Sequence, residues 1–135
     1  MKHMKIVIGL SVLVTAILLP TAAHAVFRYG VACVKNHTEQ TVFYQYKEAD
    51  GTWHGGSLRP GWETSFAHKY SRPNEDRSPE LDIKFDSDLT VQKQFTTTYK
   101  LPRRAAIGDS CKEGAQYAFQ YDGGTRRFID LKRAP

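Results

Sequence analysis

The sequence predicts an all-β protein: a small antiparallel β-sandwich, Ig-like or similar, with about seven to eight strands and one disulfide. Three observations support this fold class. Apolar and polar residues alternate along many short segments, which is the side-chain period of a strand. Glycine, proline, asparagine and aspartate separate those segments at the spacing expected of a sandwich. After Val26, no stretch shows sustained helical periodicity.

The first strands are predicted around two tight turns. Val26–Lys35 alternates as a strand, and Asn36-His37-Thr38 follows it as a turn. The same three residues form an Asn-x-Thr glycosylation sequon, but the turn is the interpretation we favour. Within Thr41–Glu63, Asp50-Gly51 predicts a hairpin turn in which glycine supplies a positive φ. Pro60-Gly61 predicts a second turn, of type II.

The remaining strands are predicted on either side of one long loop. Ser71–Glu80 carries two prolines and many charges, so it should stay solvated and unpaired. The segments before and after this loop again alternate apolar and polar residues. They cover Glu63–Tyr70, Leu81–Phe85, Val91–Leu101, Tyr117–Tyr121 and Thr125–Lys132.

Residues 1–25 have the pattern of a cleaved bacterial signal peptide. Lys2 and Lys5 precede the apolar run Ile6–Leu19, and Ala23-His24-Ala25 has the small-x-small form of a cleavage site. The apolar run is shorter than the roughly 20 residues of a membrane span, so cleavage is favoured over an uncleaved anchor. We therefore expect one mature domain, residues 26–135, that is secreted or periplasmic and has no stable membrane span after cleavage.

Two cysteines are present, and an oxidising compartment favours a disulfide between Cys33 and Cys111. Their separation of 78 residues (111 − 33) would close most of the mature domain. Chain-entropy reasoning gives such a bridge a stabilisation of roughly 4.5 kcal/mol. The alternatives are two buried free thiols, or lipidation of Cys33 in a sequence loosely similar to a lipobox.

The charge of the mature chain does not favour nucleic acid as a partner. The sequence has 19 basic and 14 acidic residues. Removal of Lys2 and Lys5 leaves 17 basic residues (19 − 2), so the mature net charge is about +3. This balance is only mildly basic, and export would separate the protein from most nucleic acid.

No motif predicts a catalytic residue, a metal site or a cofactor. His37, His54 and His68 lack the spacing of metal ligands. Asp86 and Asp88 lack the glycine and the distal glutamate of a calcium loop, so we interpret them as a solvated turn. The sequence therefore does not predict an enzyme. The alternative is a small exported hydrolase or metal-binding enzyme that uses His54 and His68.

Aromatic residues are the most informative feature, with seven tyrosines, seven phenylalanines and two tryptophans. Most alternate with polar residues and should belong to the core, but both tryptophans lie beside turns. We predict a binding module for a protein partner or an envelope glycan, with Trp53, Trp62, His54, Tyr44 and Tyr46 as candidate binding residues. In the alternative, both tryptophans plug the ends of the sandwich. A third possibility is a structural subunit that assembles by edge-strand pairing.

Overall fold

The computed structural model describes residues 25–134, and within them the chain forms strands and no helix. The all-β prediction is therefore confirmed, although the described residues form nine strands where seven to eight were expected. The predicted signal peptide lies outside the described residues except for Ala25. The strands are β1 (Tyr29–Asn36), β2 (Val42–Glu48), β3 (His54–Leu58), β4 (Glu63–Lys69), β5 (Leu81–Asp86), β6 (Phe95–Lys100), β7 (Arg104–Ala106), β8 (Ala115–Tyr121) and β9 (Ile129–Arg133).

Two sheets enclose one hydrophobic core, as a β-sandwich requires. Sheet A has the order β4-β1-β8-β9, with β7 also paired to β1, and sheet B has the order β3-β2-β5-β6. Alternate residues of both sheets point into the core, which explains the period of two in the sequence. The largest fully buried core side chains are Phe85, Phe119, Leu81, Ile83, Val34 and Val42.

One strand pair departs from the predicted antiparallel arrangement. β1 and β8 run parallel, with Ala32 opposite Ala115 and Asn36 opposite Phe119. On the same side of β1, the short strand β7 pairs antiparallel with Tyr29–Val31. The two strands therefore share one edge of β1. Gly114 lies between them, where a Cβ atom would approach a Val31 methyl carbon to 2.7 Å.

The Asp50-Gly51 hairpin is present, but its backbone differs from the prediction. β2 and β3 pair antiparallel with Tyr46 opposite His54. The positive φ belongs to Ala49, at 47°, and not to Gly51. Gly51 instead donates its N–H to the Glu48 carbonyl at 2.9 Å, and a Cβ atom there would lie 2.9 Å from that oxygen. Glycine is thus required at position 51 for close approach.

The Pro60-Gly61 turn forms as predicted. Gly61 has φ 76°, and Trp62 donates its N–H to the Arg59 carbonyl at 3.0 Å, which closes the turn. The turn joins β3 of sheet B to β4 of sheet A. It therefore carries the chain from one layer of the sandwich to the other.

β1 begins at Tyr29 and not at the predicted Val26, and two later strands begin four residues after their predicted start. Val91–Leu101 is a strand only from Phe95 to Lys100, because Lys93 has φ 60° and donates its N–H to buried Asp86 Oδ2 at 2.6 Å. The last strand is Ile129–Arg133 and not Thr125–Lys132. Phe128, which was predicted within it, is exposed. In both cases a loop occupies part of an alternating segment.

The predicted disulfide is confirmed, with the Cα atoms of Cys33 and Cys111 5.6 Å apart. It leaves neither thiol free. Val31, Cys33 and Ala106 form a second, smaller buried cluster on the face of β1 that points away from the main core. The bridge therefore holds the loop 107–114 over the outer face of sheet A, where Ser65 also donates its hydroxyl to the Asp109 carbonyl at 3.1 Å.

Candidate functional site

The five predicted binding residues do not form one patch. Trp53 immediately precedes β3, and Trp62 follows the turn at its other end. A strand of five residues is about 16 Å long at roughly 3.3 Å per residue, so the two indoles lie at opposite ends of β3. The sequence predicted one aromatic patch that contains both tryptophans, but in the structure the whole of β3 separates them.

Tyr44, Tyr46 and His54 belong to one aromatic cluster. The ring centroid of Tyr46 lies 5.4 Å from the centroid of His54, 4.9 Å from that of Phe66 and 6.3 Å from that of Tyr44. Tyr44 is buried, and its burial raises the pKa of its hydroxyl. Gly56 leaves space for this ring, because a Cβ atom there would lie 2.5 Å from Tyr44 Cζ. Tyr44 is thus a core residue, whereas His54 is exposed at the end of the cluster.

Trp62 is the most exposed large hydrophobic residue described, with 59% of its surface accessible. Its backbone is fixed to β1 because Asn36 donates its N–H to the Trp62 carbonyl at 2.9 Å. Gly61 in turn donates its N–H to the Asn36 carbonyl at 2.7 Å. The Arg59 guanidinium lies 5.1 Å from the centroid of the indole. Trp62 is therefore a solvent-facing aromatic on a turn held by the sheet.

The side chain of Asn36 fixes the same region from inside. It is fully buried, and its amide donates to the carbonyls of Gln40 at 2.7 Å and Leu58 at 2.8 Å. Its Oδ1 accepts the N–H of Thr38 at 2.9 Å and the Thr38 hydroxyl at 2.7 Å. The Asn36-His37-Thr38 sequence thus forms a turn, as predicted, and the side-chain amide of Asn36 is not available at the surface.

Trp53 has a different setting, on the outer face of sheet B. Its ring is half-buried, and the ammonium nitrogens of Lys84 and Lys47 lie 4.1 Å and 5.0 Å from the ring centroid. Sequence reasoning missed these lysines as site residues. Lys47 on β2 and Lys84 on β5 are neighbours only because β5 pairs with β2, and β3 and β4 intervene in the sequence. The only indication in the sequence was that both lysines occupy polar positions in segments where apolar and polar residues alternate.

A cleft of about 380 Å³ lies beside the long loop 71–80. Its wall contains Arg103, whose side chain is 3% exposed and pairs with Glu48. The same guanidinium donates to the carbonyls of Phe66 at 3.2 Å and Pro79 at 3.1 Å. Burial also raises the pKa of Tyr70 in this wall. Because the guanidinium bonds to both sheets and to the loop, we interpret it as a structural link.

The histidines proposed for the enzyme alternative lie in different sheets. His54 belongs to β3 of sheet B, and His68 belongs to β4 of sheet A. In the part of the chain that the structure describes, no group of three histidine, cysteine, aspartate or glutamate side chains is placed to hold a metal ion. Asp86 Oδ2 accepts a backbone N–H, and Asp88 is paired with Arg127. These carboxylates therefore stabilise loops.

Comparisons with known protein families, with curated proteins and with solved structures find no match. Similarity to other proteins therefore identifies no functional residue in this chain. Residues 25–134 contain no helix of the length and hydropathy needed to cross a bilayer.

Proposed function

We propose that this protein is an exported binding module, released from its signal peptide after Ala25, that presents Trp62 to a protein partner or an envelope glycan. The observation that carries this proposal is the 59% exposure of Trp62 on a hydrogen-bonded turn. Burial of a large aromatic side chain is favourable, so a folded chain that leaves one in water retains that free energy for association.

The rigidity of the turn supports the same function. Three backbone hydrogen bonds fix the turn. The N–H of Trp62 donates to the Arg59 carbonyl, that of Asn36 to the Trp62 carbonyl, and that of Gly61 to the Asn36 carbonyl. A contact residue that is already ordered loses little conformational entropy when a ligand binds. Tryptophan and arginine are enriched among the residues that dominate binding energy, and Arg59 lies against the indole.

The disulfide supports export. Bridges of this kind persist in oxidising compartments, and the Cys33–Cys111 bridge closes most of the described chain. An extracellular or periplasmic sandwich with this staple is a suitable scaffold for binding residues on its connecting turns.

Replacement of Trp62 by alanine tests the proposal. We expect the mature protein to co-sediment with a bacterial envelope fraction and Trp62→Ala to reduce its retention at least tenfold, as expected for loss of a dominant aromatic contact. Phe128→Ala is a matched control, because Phe128 is also exposed and lies 4.9 Å from the guanidinium of its neighbour Arg127. The control should be retained like the wild type.

Two results would contradict this assignment. The first is equal retention of the Trp62 variant and the wild type. The second is no retention of the wild type by any envelope fraction. Protease treatment of the fraction, compared with glycan hydrolase treatment, then distinguishes a protein partner from an envelope glycan.

A further inference from the structure

The outer face of sheet B carries a regular array of polar side chains. Strand pairing places Lys47, Asp82 and Lys100 directly across from one another on β2, β5 and β6, with Trp53 at the end of this row. The next row contains Gly55, Gln45, Lys84 and Thr98. The residues between these rows belong to or pack on the main core, so this face points to solvent.

Two cations converge on Trp53. Because the Lys84 and Lys47 nitrogens lie 4.1 Å and 5.0 Å from one centroid, they are at most about 9 Å apart. Within the described residues neither lysine forms an ion pair, whereas Lys100 is paired with Glu80 at 3.3 Å. Their positive charge is therefore not neutralised by the protein's own ion pairs.

A gap in the side-chain layer lies beside this cluster. Gly55 follows Trp53 by two residues and is opposite Gln45. A Cβ atom at Gly55 would meet nothing within 4 Å, so the surface there is open. The gap is bordered by an indole, an amide and the two-lysine cluster, which together offer a stacking surface, hydrogen-bonding groups and positive charge.

We propose that this face binds an acidic polysaccharide. A sugar ring stacks on Trp53 beside the gap at Gly55, and its carboxylate lies within reach of Lys47 and Lys84. Aromatic side chains suit the apolar faces of sugar rings, and ammonium groups form strong, charge-assisted hydrogen bonds with carboxylates. Gln45 and Thr98, in the same row as Lys84, can bond to hydroxyl groups.

The composition of the face favours a glycan over a protein partner. Protein interfaces have a core depleted of charged residues. Here Phe43 and Trp53 are the aromatic residues, and a lysine ammonium lies against each, with Lys93 5.3 Å from the Phe43 centroid. A repeating acidic chain also matches lysines that are spread along a strand pair. The site is separate from Trp62 and does not depend on it.

The acidic groups of the same face determine whether a charge change should strengthen or weaken binding of an anionic ligand. Asp86 is buried, and Glu80 is paired with Lys100. Asp82 lies between Lys47 and Lys100 and forms no ion pair with any residue from 25 to 134. Its negative charge opposes an anionic ligand. Removal of that charge should therefore strengthen binding, whereas removal of a lysine charge should weaken it.

Binding of the mature protein to polygalacturonate, measured by isothermal titration calorimetry, tests the site, with dextran as the neutral polymer. We expect binding to polygalacturonate only. Lys84→Gln should weaken it about tenfold, since a charged hydrogen bond is lost. Gly55→Leu should also weaken it by filling the gap, and Asp82→Asn should strengthen it. Lys132→Gln, which changes an exposed lysine of β9 in the other sheet, is the control and should match the wild type.

Three outcomes would overturn the proposal. One is equal binding of polygalacturonate and dextran, and another is unchanged affinity of Lys84→Gln. The third is equally tight binding of polyglutamate, since this would show a response to charge without recognition of the sugar. Trp62→Ala should bind polygalacturonate normally, so failure of the Trp62 proposal and failure of this one are distinguishable.

Discussion

Asn36 is a single polar side chain that holds three segments of the chain together. Its four hydrogen bonds reach Thr38, Gln40 and Leu58, and it is fully buried. A buried carbonyl or N–H that loses its partner costs its desolvation free energy, because no water replaces the bond. Asn36 thus stabilises the region from which the Trp62 turn projects.

Asn36→Ala should lower the free energy of unfolding by about 2–4 kcal/mol, since it leaves several buried groups without partners. Urea denaturation monitored by circular dichroism measures this change. His37→Ala is the control, because His37 is the neighbouring residue and is exposed. The control should stay within about 0.5 kcal/mol of the wild type. An Asn36→Ala value in that same range would show that the network is not stabilising.

At the scale of single residues, the sequence predicts backbone conformation in turns better than it predicts the exposure of side chains. Pro60-Gly61 was predicted as a type II turn, and Gly61 has the required φ. The same sequence could not show that Trp62 is exposed whereas Trp53 packs against lysines. Exposure depends on which strands come together, and both tryptophans have similar local contexts.

Two loops are joined at one end of the sandwich by Asp88 and Arg127. The guanidinium donates to Asp88 Oδ2 at 3.0 Å, and Leu89 donates its N–H to the Arg127 carbonyl at 2.8 Å. The side-chain bond from Arg127, followed by bonds from Thr90, lowers the pKa of Asp88 well below its usual range. The pair links the loop before β6 to the loop before β9.

This pair should make stability depend on pH in acid. The pKa of Asp88 is lower in the folded than in the unfolded chain, where it is about 3.9. Its contribution is therefore present above about pH 4 and is lost as the pH falls toward the folded value. We expect Asp88→Asn to flatten the decline of unfolding free energy below about pH 4, as followed by urea titrations at several pH values.

Arg127→Gln tests the same link from the other side, because it removes the donor that lowers the pKa of Asp88. It should flatten the acid dependence in the same direction as Asp88→Asn. An Asp88→Asn protein that keeps the full acid dependence of the wild type would show that other carboxylates are responsible.

At the scale of elements, the sequence predicts where most strands lie but not how they pair. Leu81–Phe85 alternates and forms β5 as expected. Val91–Gln94 continues an alternating segment but forms a loop, because Asp86 binds the Lys93 backbone. The parallel β1–β8 pair has no local signal, since alternation is the same in parallel and antiparallel strands. β7 has only three residues, too few for a pattern.

The whole molecule places its two proposed binding surfaces on different parts of one scaffold. Trp62 lies on a turn that joins the sheets, and the Trp53–lysine cluster lies on the outer face of sheet B. The disulfide lies on neither surface, because it anchors a loop on the outer face of sheet A. Its removal should therefore change stability without removing a contact residue.

The Cys33→Ala/Cys111→Ala double variant should lower the free energy of unfolding by about 2–5 kcal/mol, since the bridge closes a long loop in the unfolded chain. The main core contains neither cysteine, so the variant should keep its β-type circular dichroism spectrum at 25 °C. Urea denaturation should show the change, and the wild type in reducing buffer should behave like the variant. Ile107→Ala, an exposed change in the same loop, should have little effect. An unchanged unfolding midpoint in the double variant would mean that the sheets alone determine the stability.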